Sequence, residues 1–182
     1  NSLCSNTTGF NNTAVGNCSG NDVTTGDCNT YIGAFAAYQA TTGDNNTAVG
    51  DQALSLMTTA SDNTGVGRSA LKANTTGAAN TAVGFDALTA STTSAYNSAF
   101  GSYALDANTT GAKNVGIGFN ALGGNTTASD NVAVGQNALR CNTTGDGNVS
   151  VGRCALFNNP AADYNTAVGR QALYSNTTGT RN

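Results

Sequence analysis

An all-β solenoid with one seventeen-residue repeat per coil is the fold this sequence predicts, and three observations predict it. Glycine stands at every seventeenth position: Gly16, Gly33, Gly50, Gly67, Gly84, Gly101, Gly118, Gly135, Gly152 and Gly169. Asparagine stands four residues before each of them, at Asn12, Asn29, Asn46, Asn63, Asn80, Asn97, Asn114, Asn131, Asn148 and Asn165. Between the two lies a short alternating run such as Thr47-Ala48-Val49, which suits a strand, and seventeen residues are too few for two helices and a turn. A fixed short period without insertions means that each unit rests mainly on its neighbours and the product is a stack.

Written from the asparagine, the unit reads N-T-A-V-G-x-x-A-L-x-x-N-T-T-G-x-x. It accounts for residues 1–182 as a single repeat array, with ten full repeats from Asn12 to Arg181 and partial units at both ends. Solenoids need polar caps to stay soluble, and no unit here looks like one, so the segment is expected to come from a longer array.

In the strand, residues 47 and 49 share one face and Ala48 takes the other. The aliphatic position (Val15, Ile32, Val49, Val66, Val83, Phe100, Ile117, Val134, Val151, Val168) is expected to point into the coil. The second apolar pair, Ala53-Leu54, Ala70-Leu71 or Ala172-Leu173, is expected on the facing wall of a two-strand coil. The alanine stripes at Ala48, Ala82, Ala133 and Ala167 and at Ala53, Ala70, Ala87 and Ala104 then remain to pack against another copy. Three-fold packing is the simplest closed arrangement that buries them and hides sheet edges. The glycine after the strand implies positive φ or a tight contact with the next coil. The asparagine column reads as an amide ladder between coils, or as turn chemistry. Ten coils at about 4.8 Å give a rod on the order of 50 Å long.

Composition narrows the function. Charged residues are 9% of the chain, with seven Lys and Arg and a net charge of −3, which argues against nucleic acid, whose binding needs clustered cations. No apolar run approaches the length of a membrane helix, so no membrane insertion is expected. The chain has no His and no convergent set of acids, so no catalytic residue, cofactor or resident metal is expected. Asp27 with Asp44, and Asp146 with Asp163, stack in adjacent coils; solvated carboxylates are the plainer reading, calcium the sharper one. Five cysteines without C-x-x-C favour an oxidising, extracellular setting. Cys4-Cys18 and Cys141-Cys154 recur at nearly the same interval and are proposed as disulfides, with Cys28 free or paired between chains.

Ten N-x-S/T sequons occur. Asn6, Asn74, Asn108, Asn125, Asn142 and Asn176 share one column, expected on an outer turn where a glycan can project; Asn11, Asn17, Asn45 and Asn148 lie elsewhere. The competing reading is that Asn-Thr-Thr-Gly is a good turn. Paired threonines such as Thr41-Thr42 and Thr58-Thr59 suggest an ice-binding array, although only one column can face water. Tyr31, Phe35 and Tyr38 cluster, and a sugar-binding aromatic patch near Tyr38 is a further candidate.

The repeat N-T-A-V-G-x-x-A-L-x-x-N-T-T-G resembles the arrays of tail-fibre-like surface proteins. Through Ala14-Val15-Gly16, or Ala82-Val83-Gly84 with Ala87, it is similar to the head repeats of trimeric autotransporter adhesins. That resemblance implies a left-handed β-roll, a homotrimer, and a role in attachment at a cell or virion surface, and it assigns no receptor-binding residue. The expected function is a structural extracellular fibre or filament body, self-associating as a homotrimer or filament and carrying covalent glycans. The alternative is an adhesin for a host surface or glycan, and ice binding is a minor one.

Overall fold

A computed structural model describes all 182 residues. Ten three-residue strands, one per coil, form one parallel sheet in sequence order: β1 (Thr13–Val15), β2 (Thr30–Ile32), β3 (Thr47–Val49), β4 (Thr64–Val66), β5 (Thr81–Val83), β6 (Ser98–Phe100), β7 (Val115–Ile117), β8 (Val132–Val134), β9 (Val149–Val151) and β10 (Thr166–Val168). Each residue faces its counterpart seventeen positions on, as in Thr47 with Thr64 and Val49 with Val66. Pairing between coils continues beyond the strands. The Gln52 N–H donates to the Ala34 carbonyl at 2.9 Å, the Leu54 N–H to Ala70 at 3.0 Å, and the Thr58 N–H to Thr75 at 3.0 Å. The backbone demand for partners is thus met coil to coil, in turns as well as in strands.

The strand faces are reversed from expectation. Its central residue points inward and is buried: Ala48, Ala82, Ala99 and Ala133 have no exposed surface, whereas the aliphatic position is half-buried at Val49, Val66, Val83 and Val134 and about 40% exposed at Ile32, Phe100 and Ile117. The aliphatic position therefore lines the outside. The reason is width. At Gly65 an added Cβ would stand 3.4 Å from Leu54 Cγ and 3.2 Å from the Ala70 carbonyl oxygen, so the leucine of the preceding coil already occupies the space beneath the strand and only a small residue fits there. The alanine stripes are interior as well, which corrects their assignment to contacts between copies.

Ala53-Leu54 does not form a facing strand. There is one strand per coil, and this pair lies in two consecutive turns. The Ala53 N–H donates to Gly50 at 3.3 Å and the Ser55 N–H to Gln52 at 3.3 Å; Gln52 has φ 57° and Leu54 φ 53°. Positive φ at the third residue of each turn rotates successive side chains so that Ala53 and Leu54 both enter the core, which strand alternation forbids. Leu54, Leu71, Leu88, Leu105, Leu122, Leu139 and Leu156 stack as a fully buried column. Thirty non-glycine residues adopt positive φ, about three per coil, a conformation costing roughly 1–2 kcal/mol each for ordinary L-residues and sustained here by the ladder.

Tyr31 occupies the alanine position of β2, fully buried. The leucine position is Ala37 in the same coil and Gly20 in the coil before, where a Cβ would come within 2.7 Å of the Tyr31 ring. One large residue replaces two leucines, so the thin core keeps its volume.

Candidate functional site

The two asparagine columns are interior. The Asn46 N–H and side-chain amide donate to Asn29 Oδ1 at 2.8 and 3.2 Å, and the amide also donates to the Ala60 carbonyl at 2.9 Å. The same pattern recurs at Asn63, Asn80 and Asn148, a ladder of amides along the coil interior. The glycine column combines both predicted demands: Gly50 has φ 133°, and a Cβ there would stand 2.6 Å from the Gly67 carbonyl oxygen.

The sequon column is the other interior asparagine row, and its placement on an outer turn is corrected. Asn74, Asn108, Asn125 and Asn142 are fully buried, as is Asn148. Asn74 Nδ2 donates to the Gly77 carbonyl at 2.8 Å, and Asn125 Nδ2 to Asn108 Oδ1 at 2.9 Å and Ala128 at 3.0 Å. These nitrogens hold the Asn-Thr-Thr-Gly turn and have no room for a sugar in the folded coil. Asn6, Asn11, Asn17 and Asn45 are exposed, and Asn176 is half-buried.

The threonines divide their work. The first of each pair donates its hydroxyl to the carbonyl one coil on, as Thr41 to Thr58 at 2.9 Å and Thr109 to Thr126 at 3.0 Å, and the second faces solvent as a single column. The stacked aspartates are engaged too: the Asp27 N–H donates to Asp44 Oδ1, and the Asp146 N–H to Asp163 Oδ1, both at 2.8 Å. No group of three His, Cys, Asp or Glu side chains converges on one point. All five cysteine thiols are free in this structure, including those of Cys4, Cys18, Cys141 and Cys154.

Two outer surfaces remain. The first is the outward strand face, where Thr30-x-Ile32, Thr47-x-Val49, Thr64-x-Val66 and Thr81-x-Val83 continue through Phe100, Ile117, Val134 and Val151 as one aliphatic column. The second is the surface of the consecutive turns, which carries the aromatics. Phe85, Tyr103 and Phe119 meet edge-to-face at 5.2 and 6.0 Å, and the Arg68 guanidinium lies 5.4 Å from the Phe85 ring centre. Phe35 and Tyr38 pair at 5.7 Å beside Leu56 and Lys72.

A cleft of about 300 Å³ opens on this surface among Tyr103, Asp106, Phe119, Asn120, Gly123, Gly124 and Arg140. It exists because two glycines stand where the neighbouring coils carry side chains, Asp106-Ala107 in the coil before and Arg140-Cys141 in the coil after. Asp106 Oδ1 is buried without a hydrogen-bond partner. Desolvation raises the Asp106 carboxyl above the usual range, with a smaller push from Asp86, against backbone N–H donors and Arg140, which lower it. The glycine pair was the legible signal for this cleft, since no other unit has glycine at both positions. No family model, curated protein or solved structure matches the chain.

Proposed function

We propose that the chain is a structural, non-enzymatic rod at an extracellular, virion or cell surface, and that it self-associates through the outward strand face as a homotrimer or filament. The carrying observation is the outward aliphatic column from Val15 to Val168, half-buried at Val49, Val66, Val83 and Val134 and exposed elsewhere, on a ten-stranded parallel sheet. A monomer leaves this face partly wet along the rod, whereas burying the remaining surface of each valine or isoleucine against a partner is worth roughly 1 kcal/mol. Three rods about a common axis close the arrangement. Threonine beside each valine keeps the face β-favouring and moderately polar, which suits a face that must survive before assembly. The left hand of the coil, and the attachment role of the proteins this repeat resembles, belong to the same proposal.

The test is negative-stain microscopy together with sedimentation equilibrium. Smooth rods of constant width and a mass of three chains are expected. Replacing Val66, Val83 and Val134 by lysine, all outward-facing, releases single chains with unchanged far-UV dichroism. Compact particles, or a wild-type protein that sediments as one chain, refute the proposal.

The exposed aromatic row supports a second reading, an adhesin whose turn surface contacts a host glycan. It differs from the shaft in giving the turn surface at Phe85, Tyr103 and Phe119 a ligand of its own.

A further inference from the structure

We infer that copies of the chain pack side by side in parallel and in register, with Asp146 and Asp163 of one copy clasped against Arg153 and Arg170 of the next. The inference rests on the self-association proposed above and adds its orientation, its register and the charged contacts that fix both.

Charge divides across the strand face. Two or three residues before a strand stand Asp27, Asp44, Asp62, Asp130, Asp146 and Asp163, six of the ten aspartates, against a single cation, Lys113. Two or three residues after a strand stand Arg68, Arg153 and Arg170, with Asp51 and Asp86. Around β9 and β10 the division is complete: Asp146 and Asp163 lie on the entry edge, Arg153 and Arg170 on the exit edge. Both arginines are exposed and neither has a partner in its own chain, whose one ion pair joins Arg68 to Asp51 at 3.7 Å. The aspartates use one oxygen within the stack. Asp146 Oδ1 accepts the Ser129 N–H at 2.6 Å and Asp163 Oδ1 the Asp146 N–H at 2.8 Å, which leaves Oδ2 of each without a donor.

Between these edges the face is at its most apolar. In β7, β8 and β9 both outward positions are valine or isoleucine, as in Val132 with Val134 and Val149 with Val151, whereas β3, β4 and β5 pair threonine with valine.

Orientation then follows from symmetry. Copies whose strand faces meet in parallel are related by a turn about the rod axis, which sets the entry edge of one beside the exit edge of the next, for two rods or for three. Acid meets base. Antiparallel copies are related by a half-turn across the axis, which sets entry edge beside entry edge at every axial offset and opposes two columns that are almost wholly negative. Register is selected as well. Asp146 and Arg153 bracket the same strand, as do Asp163 and Arg170, so both pairs align only when equal coils face each other. A foreign partner would have to present both charge columns at the coil spacing, which a second copy does by construction.

The experiment is sedimentation equilibrium of the intact chain. Arg153→Glu with Arg170→Glu should raise the dissociation constant at least tenfold at low salt, and the difference from wild type should shrink in about 1 M salt, where the Debye length is about 3 Å. Asp146→Asn with Asp163→Asn should raise it too, because asparagine keeps the Oδ1 acceptor and removes only the charge. Arg140→Glu, on the turn surface away from both edges, should leave it unchanged. Urea midpoints of the variants exclude unfolding as the cause. Orientation is read by zero-length carbodiimide cross-linking of Arg153→Lys with Arg170→Lys, in a mixture of isotope-labelled and unlabelled chains. Mixed-isotope peptides joining Asp146 or Asp163 to the introduced lysines are expected. Unchanged self-association in both charge variants, or mixed-isotope cross-links confined to other carboxylates, overturns the inference and leaves the rod standing. A wild-type protein that sediments as one chain overturns both.

Discussion

Removing one rung of the asparagine ladder in the middle of the rod tests the coupling between coils most directly. Asn80 is fully buried. Its Oδ1 accepts the Asn97 backbone N–H at 3.0 Å and the Asn97 side-chain amide at 3.2 Å, while its own amide donates to the Ser94 carbonyl at 2.8 Å. In Asn80→Ala the Asn97 side chain keeps its bond to the Gly111 carbonyl at 2.9 Å, but the Asn97 N–H and the Ser94 carbonyl lose their partners. Each orphan costs about 1–3 kcal/mol, so the expected loss is roughly 2–6 kcal/mol, concentrated between two coils. Urea denaturation followed by circular dichroism should show it. Hydrogen exchange should locate it, with the Asn97 amide exchanging at least about thirtyfold faster, since about 1.4 kcal/mol is tenfold. Thr42→Ala, on the exposed threonine column, should stay within about 0.5 kcal/mol of wild type. A loss below about 1 kcal/mol with an equally protected Asn97 amide would refute the view that the ladder couples the coils.

The glycine column offers a contrast between strain and crowding. Gly84→Ala meets the Gly101 carbonyl at 2.6 Å, whereas Gly169→Ala in residues 1–182, with similar φ, meets nothing closer than 4.0 Å. Both carry backbone strain of about 1–3 kcal/mol, so the internal variant should lose at least about 2 kcal/mol more in urea midpoint stability; equal losses would mean that φ alone explains the column. In the folded protein secreted from a glycosylating host, peptide mass spectrometry should find N-linked sugar only among Asn11, Asn17 and Asn45, since the Asn6 amide closes its own turn by donating to the Gly9 carbonyl at 2.9 Å. Occupancy at Asn74, Asn108, Asn125 or Asn142 contradicts the interior placement. Burial, with a smaller contribution from Asp44, raises the Tyr31 phenol well above its ordinary value. A raised folded-state pKa gives stability that is complete below the unfolded tyrosine value of about 10 and is lost as pH climbs past it. Urea midpoints should therefore fall above that pH in the wild type, and Tyr31→Phe, whose lost hydroxyl has no partner, should lessen the fall.

The candidate surfaces were only partly legible in the residues. Aromatic exposure at Phe119 and Tyr103 follows from their places in the variable turn positions, and the Gly123-Gly124 pair marks a gap in the row of side chains. That Asp106 and Asn120 aim their oxygens into the gap depends on the positive φ of Asn120, 57°, which residue type does not announce. The buried sequons show the opposite failure: Asn-Thr-Thr-Gly has the composition of an exposed turn, yet its amide is what closes the turn from inside.

By itself the sequence determined the stack, because a seventeen-residue period without insertions puts Gly50 over Gly67 and Asn46 over Asn63 in any coil that closes on one repeat. It also determined the glycine and asparagine columns, since identical residues at coil spacing can only be neighbours. Inside and outside were decided by the tertiary structure. A three-residue strand alternates equally well either way, and the choice fell to Leu54 and its equivalents, which reach the core through a left-handed turn conformation that leucine rarely adopts alone. Hydrogen bonds to the coils on either side hold that conformation, so it belongs to the stack and cannot be read from a single repeat.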